Sequence, residues 1–273
     1  MSYLATAKQQ KGYQKIFGIG EKTPLTGLGL LNLAAKEKYS GETQGEEVVV
    51  VILSGNCRIT VGNEVYEDLG KRKDVFSGPA AAVYVPIHSR YTVTETQGQD
   101  LTAAVVAAVA DKQFASFAVR PDEVVINHRG ILNFKRDVHD IVVDNAEGKV
   151  DKIIVGETFA YPGQWSSYPS HKHDTQNPPF ETKMDEIYHF RIKPGAGFGV
   201  QIMYTDDFSL REAYMIKDGD SVALPLGYHP VAAAPGYQLY YLWVMAGTDG
   251  RGLKPCDDPQ HAWIQNIAPL LKD

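Results

Sequence analysis

The sequence predicts an all-β protein built from two tandem barrels, and three observations carry this prediction. Val, Ile, Tyr, Phe and Thr, which favour strands, occur in short runs broken by Gly, Pro, Asn and Asp. Few windows show the i, i+3, i+4, i+7 spacing of an amphipathic helix. Two distant stretches, AAAVYVPIHSRYTV after Gly78-Pro79 and SVALPLGYHPVAA after Gly219-Asp220, resemble copies of one β-unit that ends in a Pro and a His.

The apolar runs place the strands along the chain, since each is bounded by turn-forming residues. The predicted strands are Glu47–Leu53, Cys57–Val61, Ala82–Val85, Tyr91–Glu95, Ala103–Val109, Asp151–Phe159, Ile187–Ile192, Gly199–Tyr204, Glu212–Ile216, Ser221–Leu224 and Leu239–Met245. Helix is predicted only near Leu30–Glu37 and in the last ten residues.

Length and repetition together predict two domains. The 273 residues are enough for two β-barrels, each with its own core. The join is expected between Phe117 and Val150, where the sequence VRPDEVVINHRGILNFKRDVHD becomes more polar. We therefore predict a first barrel over residues 1–125 and a second over residues 126–273.

Charge and composition exclude several classes of protein. With 27 basic and 33 acidic residues the formal net charge is −6, which argues against a nucleic-acid partner. Cys57 and Cys256 are too few for a disulfide framework, so a reducing compartment is expected. The first residues lack the apolar stretch of a signal peptide, and the longest apolar run, Leu101–Ala110, is too short to cross a bilayer. We expect a cytoplasmic protein without membrane contact.

A pair of histidines marks the candidate site. His171 and His173 flank Lys172, and in an extended segment residues i and i+2 point to the same face. Their imidazoles are therefore expected to converge while Lys172 points away. A strand that presents two imidazoles in this way offers two ligands for a metal ion.

Two further residues complete a ligand set. Glu186 directly precedes the apolar run IYHFRI, and His229 follows a strand that ends in a Pro-x-Gly turn. Glu181 is a rival carboxylate, but it lies in the Pro-rich DTQNPPFE loop, so Glu186 is preferred. Three imidazoles and one carboxylate suit a divalent transition metal with open positions, and Zn, Mn, Fe, Co and Ni all accept such a set.

These motifs resemble those of the cupin superfamily, which are Gly, H-x-H and a Glu before a strand, then G-x5-P-x-G-x-x-H. Longer segments of the sequence are similar to the 5-deoxy-glucuronate isomerase family of inositol catabolism. The segments that carry this resemblance are RGILNFKRDVHDI, SSYPSHKHD, EIYHFRI, GFGVQIMYTDD, DGDSVALPLGYHPVAAAPGY, YYLWVMAG and DDPQHAWI. The spacing departs from the cupin pattern between Gly163 and His171, between His173 and Glu186, and at His229.

The resemblance implies a bicupin, which is two tandem double-stranded β-helix (jelly-roll) barrels. It also implies a single metal site, in the second barrel. The first half agrees, because it contains no H-x-H and only His88 near Pro86. The implied reaction converts 5-deoxy-glucuronate, an aldose, into the ketose 5-dehydro-2-deoxy-gluconate. The implied partner is thus a small deoxy-uronic acid, and a homo-oligomer is left open.

Candidate catalytic and substrate-binding residues follow from this reaction. A proton must move between adjacent carbons, for which Glu181 and Tyr241 are the candidates, with Asp174 and Asp206 as further options. The substrate carboxylate calls for an Arg, from Arg191, Arg136 or Arg129. Tyr204 and Tyr228 are expected to line the pocket, because they adjoin the TDD turn and His229.

Three apolar residues depart from the resembled family. Ile202 and Leu226 stand where a basic residue is expected, and Trp243 where an Asn is expected. Either they face away from the pocket or the substrate differs. The alternatives are therefore a related uronate isomerase, an iron-dependent dioxygenase on the same fold, and a sugar-binding barrel without catalysis.

Overall fold

The computed structural model describes residues 2–270 and confirms the all-β fold. The strands of the first part are β1 Leu4–Thr6, β2 Gly12–Phe17, β3 Thr26–Leu33, β4 Lys38–Glu42, β5 Glu46–Ser54, β6 Asn56–Val61, β7 Glu64–Gly70, β8 Ala81–Val85, β9 Arg90–Glu95, β10 Leu101–Val109 and β11 Phe117–Val119. The later strands are β12 Val125–Arg129, β13 Arg136–Val142, β14 Ile154–Ala160, β15 Trp165–Ser166, β16 His171–Lys172, β17 Met184–Lys193, β18 Gly199–Tyr204, β19 Arg211–Ile216, β20 Asp220–Leu224, β21 Val231–Ala233, β22 Gln238–Gly247 and β23 Cys256–Asp257.

Helical structure is confined to short segments. One α-helix, α1, spans Trp263–Ile267, and single turns of 3₁₀ helix span Val75–Ser77, Pro121–Glu123, Asp144–Ala146 and Ala268–Leu270. Helix within the last ten residues is thereby confirmed for the part that is described; residues 271–273 lie outside it. No helix in the described part of the chain is long and apolar enough to cross a membrane.

Each half is a barrel of two antiparallel sheets. In the first, the six-stranded sheet β11-β8-β5-β10-β3-β2 packs against the four-stranded sheet β4-β9-β6-β7. In the second, the seven-stranded sheet β1-β20-β17-β22-β14-β13-β12 packs against the four-stranded sheet β15-β21-β18-β19. Strands β16 and β23 form a separate two-stranded ribbon.

The large sheets are apolar on both faces because both are buried. Along β5, Val48, Val50 and Ile52 point into the first barrel, whereas Val49 and Val51 point toward the second half. This follows from the alternation of side chains along a strand. One apolar core therefore fills each barrel, and a third core lies between the two large sheets.

Two buried carboxylates join the halves in equivalent ways. Glu47 accepts hydrogen bonds from the backbone N–H groups of Lys152 (2.6 Å) and Ile153 (2.7 Å), just before β14. Asp185 accepts one from the N–H of Leu25 (2.7 Å), just before β3. Strands β3 and β14 hold the same place in the two large sheets. Each half thus fixes the start of a strand in the other.

Two element predictions are corrected by the structure. The helix expected over Leu30–Glu37 is wrong, because Thr26–Leu33 is strand β3. Its glycines allow close packing on β2: a Cβ at Gly29 would lie 2.4 Å from the ring of Tyr13. The strand expected to start at Asp151 starts instead at Ile154. Residues 151–153 turn their N–H groups toward Glu47 rather than into a ladder.

One strand crosses the expected domain boundary. Leu4–Thr6 pairs with β20 in the seven-stranded sheet, with Leu4 opposite Val222. The division into residues 1–125 and 126–273 therefore does not hold for β1. Strands β2–β11 lie in the two sheets of the first barrel and β12–β22 in those of the second, and for these strands we retain the division as a proposal.

Candidate metal centre

Three imidazoles converge inside the second barrel. The candidate ligand atoms of His171, His173 and His229 all lie within 4.8 Å of one another. Lys172, between the first two, turns away and places its Nζ 2.8 Å from a carboxylate oxygen of Asp174. The H-x-H segment therefore presents its side chains as the extended geometry predicts.

Backbone carbonyls orient all three rings. The Nδ1 atoms of His173 and His229 lie 2.9 Å from the carbonyl oxygens of Met184 and Gly227. The ring of His171 is hydrogen-bonded to the carbonyl of Pro169. A ring nitrogen that faces a carbonyl must carry the proton, so the opposite nitrogen keeps its lone pair for a ligand.

Glu186 stands beside these lone pairs. Its Oε2 lies 3.2 Å from Nε2 of His173 and 3.3 Å from Nε2 of His229. Among the described residues, Nε2 of His229 is buried without a hydrogen-bond partner. A buried nitrogen in that state normally has a partner that the protein itself does not supply. The donor set thus fits a divalent metal ion.

The pKa shifts of two of the three histidines agree with ligand chemistry. Burial, followed by the charges of His173 and Arg136, lowers the pKa of His171 to about 3. Burial likewise lowers the pKa of His229 to about 3. For His173 burial acts in the same direction, but the hydrogen bond and charge of Glu186 outweigh it and raise the pKa. The neutral imidazole that a lowered pKa favours at His171 and His229 is the form that coordinates a metal.

Glu181 has a different setting from Glu186. Its oxygens lie 2.9 and 3.1 Å from Nζ of Lys172, and one also accepts the N–H groups of Asp174 and Thr175 (both 2.8 Å). Asp174 in turn accepts the N–H of Gly227 (2.7 Å), in the turn before His229. Glu181 is therefore part of a network that ties the loop after the H-x-H segment to the third histidine.

Arg136 is the candidate cation that the structure brings to the centre. Its charge acts on His171, Tyr188 and Tyr241. Its Nη1 donates a hydrogen bond to the carbonyl of Phe134 (3.0 Å), and burial lowers the pKa of the Arg136 guanidinium. A half-buried guanidinium beside a ligand cluster is suited to bind a carboxylate.

The side chain of Tyr241 also points into the second barrel. Its hydroxyl is hydrogen-bonded to Ser166 and Ser167, the latter at 3.3 Å, and its ring centroid lies 4.5 Å from that of Tyr188. Burial raises the pKa of Tyr241, although Arg136 and the two serines oppose this shift. Tyr241 is thus a protonated phenol next to the guanidinium.

The other predicted substrate-binding residues have partners elsewhere. Arg191, on the opposite face of β17 from Glu186, donates from Nε to Asp218 (2.9 Å). The hydroxyl of Tyr204 donates to Asp258 (2.7 Å). That of Tyr228 donates to Asp206 (2.9 Å). The structure therefore groups Arg136 and Tyr241 with the centre and assigns Arg191, Tyr204 and Tyr228 other contacts.

The three apolar departures have different positions. Trp243 points into the second barrel on the side of Tyr241, and its Nε1 donates to Thr158 (3.0 Å). Its ring covers Gly156, where a Cβ would lie 2.2 Å away. Ile202 is half-buried on β18, between the buried Gln201 and Met203 that face the interior. Leu226 is half-buried in the turn before His229.

The matching position of the first barrel is apolar. Glu186 pairs with Leu224, the residue before Pro225, and Val48 pairs with Val85, the residue before Pro86. The register thus places Val48 where the second barrel has its carboxylate. His88 of the first half is exposed. Within residues 2–270, the cluster of His171, His173 and His229 is the one group of three metal-binding side chains that converges.

Tyr188 is a site residue that the sequence analysis does not single out. Its hydroxyl is hydrogen-bonded to Glu186 and to Ser167 (3.2 Å), and its ring lies 6.1 Å from that of His229. The signal was present, because Tyr188 follows Glu186 by two residues on a strand and so shares its face.

Known proteins resemble this chain over most of its length. The profile of the KduI/IolB family matches residues 3–264. The 5-deoxy-glucuronate isomerase of Geobacillus kaustophilus is 41% identical over 233 residues, which cover 85% of this chain and 83% of that protein. The enzyme of the same name from Bacillus subtilis strain 168 is 35% identical over 236 residues, with 86% of each chain covered.

Solved structures extend the comparison to the fold. An IolB-like protein from Salmonella typhimurium superposes with a TM-score of 0.91 at 34% identity, covering 96% of this chain and 98% of that one. Oxalate decarboxylase from Lactobacillus farciminis superposes with a TM-score of 0.65 at 10% identity, covering 93% and 86%. This second likeness concerns the fold alone.

Proposed function

The chain belongs to the KduI/IolB family, and from this premise we propose that it is a 5-deoxy-glucuronate isomerase with one metal centre. The reaction is the aldose-to-ketose conversion of 5-deoxy-glucuronate to 5-dehydro-2-deoxy-gluconate. The observation that carries the proposal is the convergence of His171, His173 and His229 with Glu186, and the charge of Arg136 acts on the first of these histidines.

The four ligand candidates have the side-chain types that a divalent metal requires. His171, His173 and His229 offer nitrogens that backbone carbonyls leave free, and Glu186 offers an oxygen beside two of them. When bound, such an ion supplies Lewis acidity for the carbonyl and hydroxyl oxygens of the substrate. Zn, Mn, Fe, Co and Ni all suit this set.

Arg136 binds the carboxylate of the uronic acid in this proposal. The planar guanidinium offers paired N–H donors that match both oxygens of a carboxylate. Within the described part of the chain, the guanidinium of Arg136 donates one hydrogen bond, which goes to the carbonyl of Phe134. Because Arg191 is paired with Asp218, it is not available for this task.

Tyr241 handles a proton at the reacting oxygens. Aldose–ketose isomerisation exchanges protons between two adjacent oxygens as well as two adjacent carbons, so a fixed phenol donor beside them assists the exchange. Ser166 and Ser167 hold the Tyr241 hydroxyl, and Arg136 favours its ionised form.

Glu181 has a positioning role in this proposal, in place of the general base considered from the sequence. Its carboxylate already accepts hydrogen bonds from Lys172 and from two backbone N–H groups. A base must have an oxygen free to approach the substrate. The network of Glu181, Lys172 and Asp174 supports the ligand loop instead.

The deciding experiment is turnover of 5-deoxy-glucuronate by the purified protein before chelation, after chelation, and after Mn²⁺, Zn²⁺ or Fe²⁺ is returned. We expect activity to fall with chelation and to recover with at least one ion. Protein that carries stoichiometric metal but converts none of this substrate would contradict the proposed reaction. Full activity in metal-free protein would contradict the metal centre.

A further inference from the structure

The strand that carries the first ligand has an unusual support. Strand β16 pairs with β23 alone in the described sheets, with His171 opposite Asp257 and Lys172 opposite Cys256. It is not part of either sheet of the second barrel. The backbone position of His171 therefore depends on a segment that follows the last barrel strand, β22.

Asp258 anchors this segment next to the ligand. Its N–H donates to the carbonyl of Ser170 (2.8 Å), the residue directly before His171. Its Oδ2 accepts the hydroxyl of Tyr204 (2.7 Å), on barrel strand β18, and its Oδ1 accepts the N–H of Gln260 (2.8 Å). A single residue thus connects the ribbon, the barrel sheet and the following turn.

Asp258 is 5% exposed, and its carboxylate accepts hydrogen bonds from neutral donors. The nearest cationic candidate, Nε2 of His261, lies 3.9 Å away. Burying a carboxylate is costly unless its hydrogen bonds are made, so these bonds hold it in one geometry. That geometry fixes Ser170, which adjoins the Pro169 carbonyl that orients the His171 ring.

We propose that Asp258 is a positioning residue of the metal centre, which holds the His171 strand against the barrel. This inference rests on the proposed metal centre and adds a dependence of metal affinity on a residue that does not bind the metal. Partners that orient ligands without touching the ion typically change metal affinity by about 10–100-fold when they are lost.

Neighbouring Asp257 provides a matched control. It has the same side chain and lies in the same ribbon, but its carboxylate accepts a hydrogen bond from Nε2 of Gln265 (2.6 Å), in α1. Replacing it removes a charge of the same kind from the same segment without touching Ser170 or Tyr204.

The test measures Zn²⁺ affinity of the full-length, metal-stripped protein by competition with a chromogenic chelator. We expect Asp258→Ala to weaken Zn²⁺ binding by about 10-fold or more, and Asp257→Ala to change it by less than about 2-fold. Asp258→Asn keeps one acceptor oxygen and should fall between wild type and Asp258→Ala. Wild-type Zn²⁺ affinity in folded Asp258→Ala would overturn the inference.

A thermal measurement separates positioning from general destabilisation. Saturating Zn²⁺ raises the Tm of a protein that binds it only when folded, by an amount set by its affinity. The Zn²⁺-induced rise should shrink in Asp258→Ala, since a 10-fold weaker site forfeits about 1.4 kcal/mol. A lower Tm in both metal-free and loaded protein with an unchanged rise would contradict positioning.

Tyr204→Phe is the replacement variant for the Zn²⁺ affinity test if Asp258→Ala does not fold. It removes the hydroxyl that holds Oδ2 of Asp258 and that also hydrogen-bonds to the side chain of Ser170. We expect a smaller loss of Zn²⁺ affinity, and an unchanged affinity would overturn the inference. Wild-type protein that binds no Zn²⁺ would overturn the proposed metal centre together with this inference.

Discussion

Arg72 and Glu157 form a buried ion pair across the boundary between the two halves. Nη1 of Arg72 lies 3.2 Å from Oε2 of Glu157, and the side chains are 3% and 0% exposed. Nε of Arg72 donates to the carbonyl of Ile52, and the Tyr240 hydroxyl donates to Glu157 (2.7 Å). Both charges are therefore compensated in the interior.

Arg72→Ala should lower the free energy of unfolding by about 3–5 kcal/mol, because it leaves the Glu157 carboxylate buried without its cation. Urea unfolding followed by circular dichroism measures this loss. The double variant Arg72→Met with Glu157→Leu should lose much less, since neither charge remains. A loss below about 1 kcal/mol in Arg72→Ala would contradict a buried, energetically coupled pair.

Glu186→Gln should remove most of the bound metal, whereas Glu181→Gln should retain it. The first substitution places a neutral amide beside His173 and His229, while Glu181 contacts Lys172 and the backbone of its own loop. Metal content after gel filtration, measured by plasma mass spectrometry, distinguishes the two. The reverse result would make Glu181 the carboxylate ligand.

Arg136→Ala should raise the KM for 5-deoxy-glucuronate by about 10–100-fold, as expected for the loss of a charge-assisted carboxylate contact. Arg191→Ala is the matched control and should leave KM within about 2-fold, because Arg191 binds Asp218 on the opposite face of β17. Steady-state kinetics at saturating metal make the comparison. Equal effects of the two substitutions would rule out Arg136 as the carboxylate site.

His189→Gln should reduce the acid sensitivity of the fold. Burial lowers the pKa of His189 to about 3. The unfolded chain therefore binds a proton first as the pH falls below about 6.5, and folding stability is lost from there toward pH 3. This histidine contributes a slope of up to about 1.4 kcal/mol per pH unit.

Urea unfolding of metal-stripped protein between pH 4.5 and 8 measures that slope. Wild type should lose stability more steeply than His189→Gln below about pH 6. His88→Gln, at an exposed position, controls for the loss of an imidazole as such. Parallel curves for wild type and His189→Gln would show that His189 does not resist protonation in the folded state.

The chemical pattern of the sequence was enough to predict eleven of the 21 strands in the barrel sheets, among them the central ones, and the grouping of the histidines. Alternation places His171 and His173 on one face regardless of tertiary structure. Strand β3 was missed because TGLGLLNL has no strong strand signal of its own, and pairing with β2 and β10 decides its conformation.

The choice among charged side chains needed the structure. Alternation along the strand predicts that Arg191 lies on the other face from Glu186, but it does not identify the cation of the site. The structure shows that Asp218 binds Arg191 and that the charge of Arg136 acts on His171. The support of His171 by Asp258 was equally hidden, because it joins residues that are distant in sequence through a two-residue strand. Short-range patterns carry no information on such contacts.

Strand β1 has a consequence for how the protein is made. Thr6 hydrogen-bonds through its hydroxyl to Asp220, which lies 214 residues later. During synthesis β1 therefore remains unpaired until β20 has left the ribosome. An isolated second half would expose the β20 edge that β1 covers, and open strand edges recruit other chains. Strand β1 thus stays without its partner strand while the whole of the chain between residues 6 and 220 is synthesised.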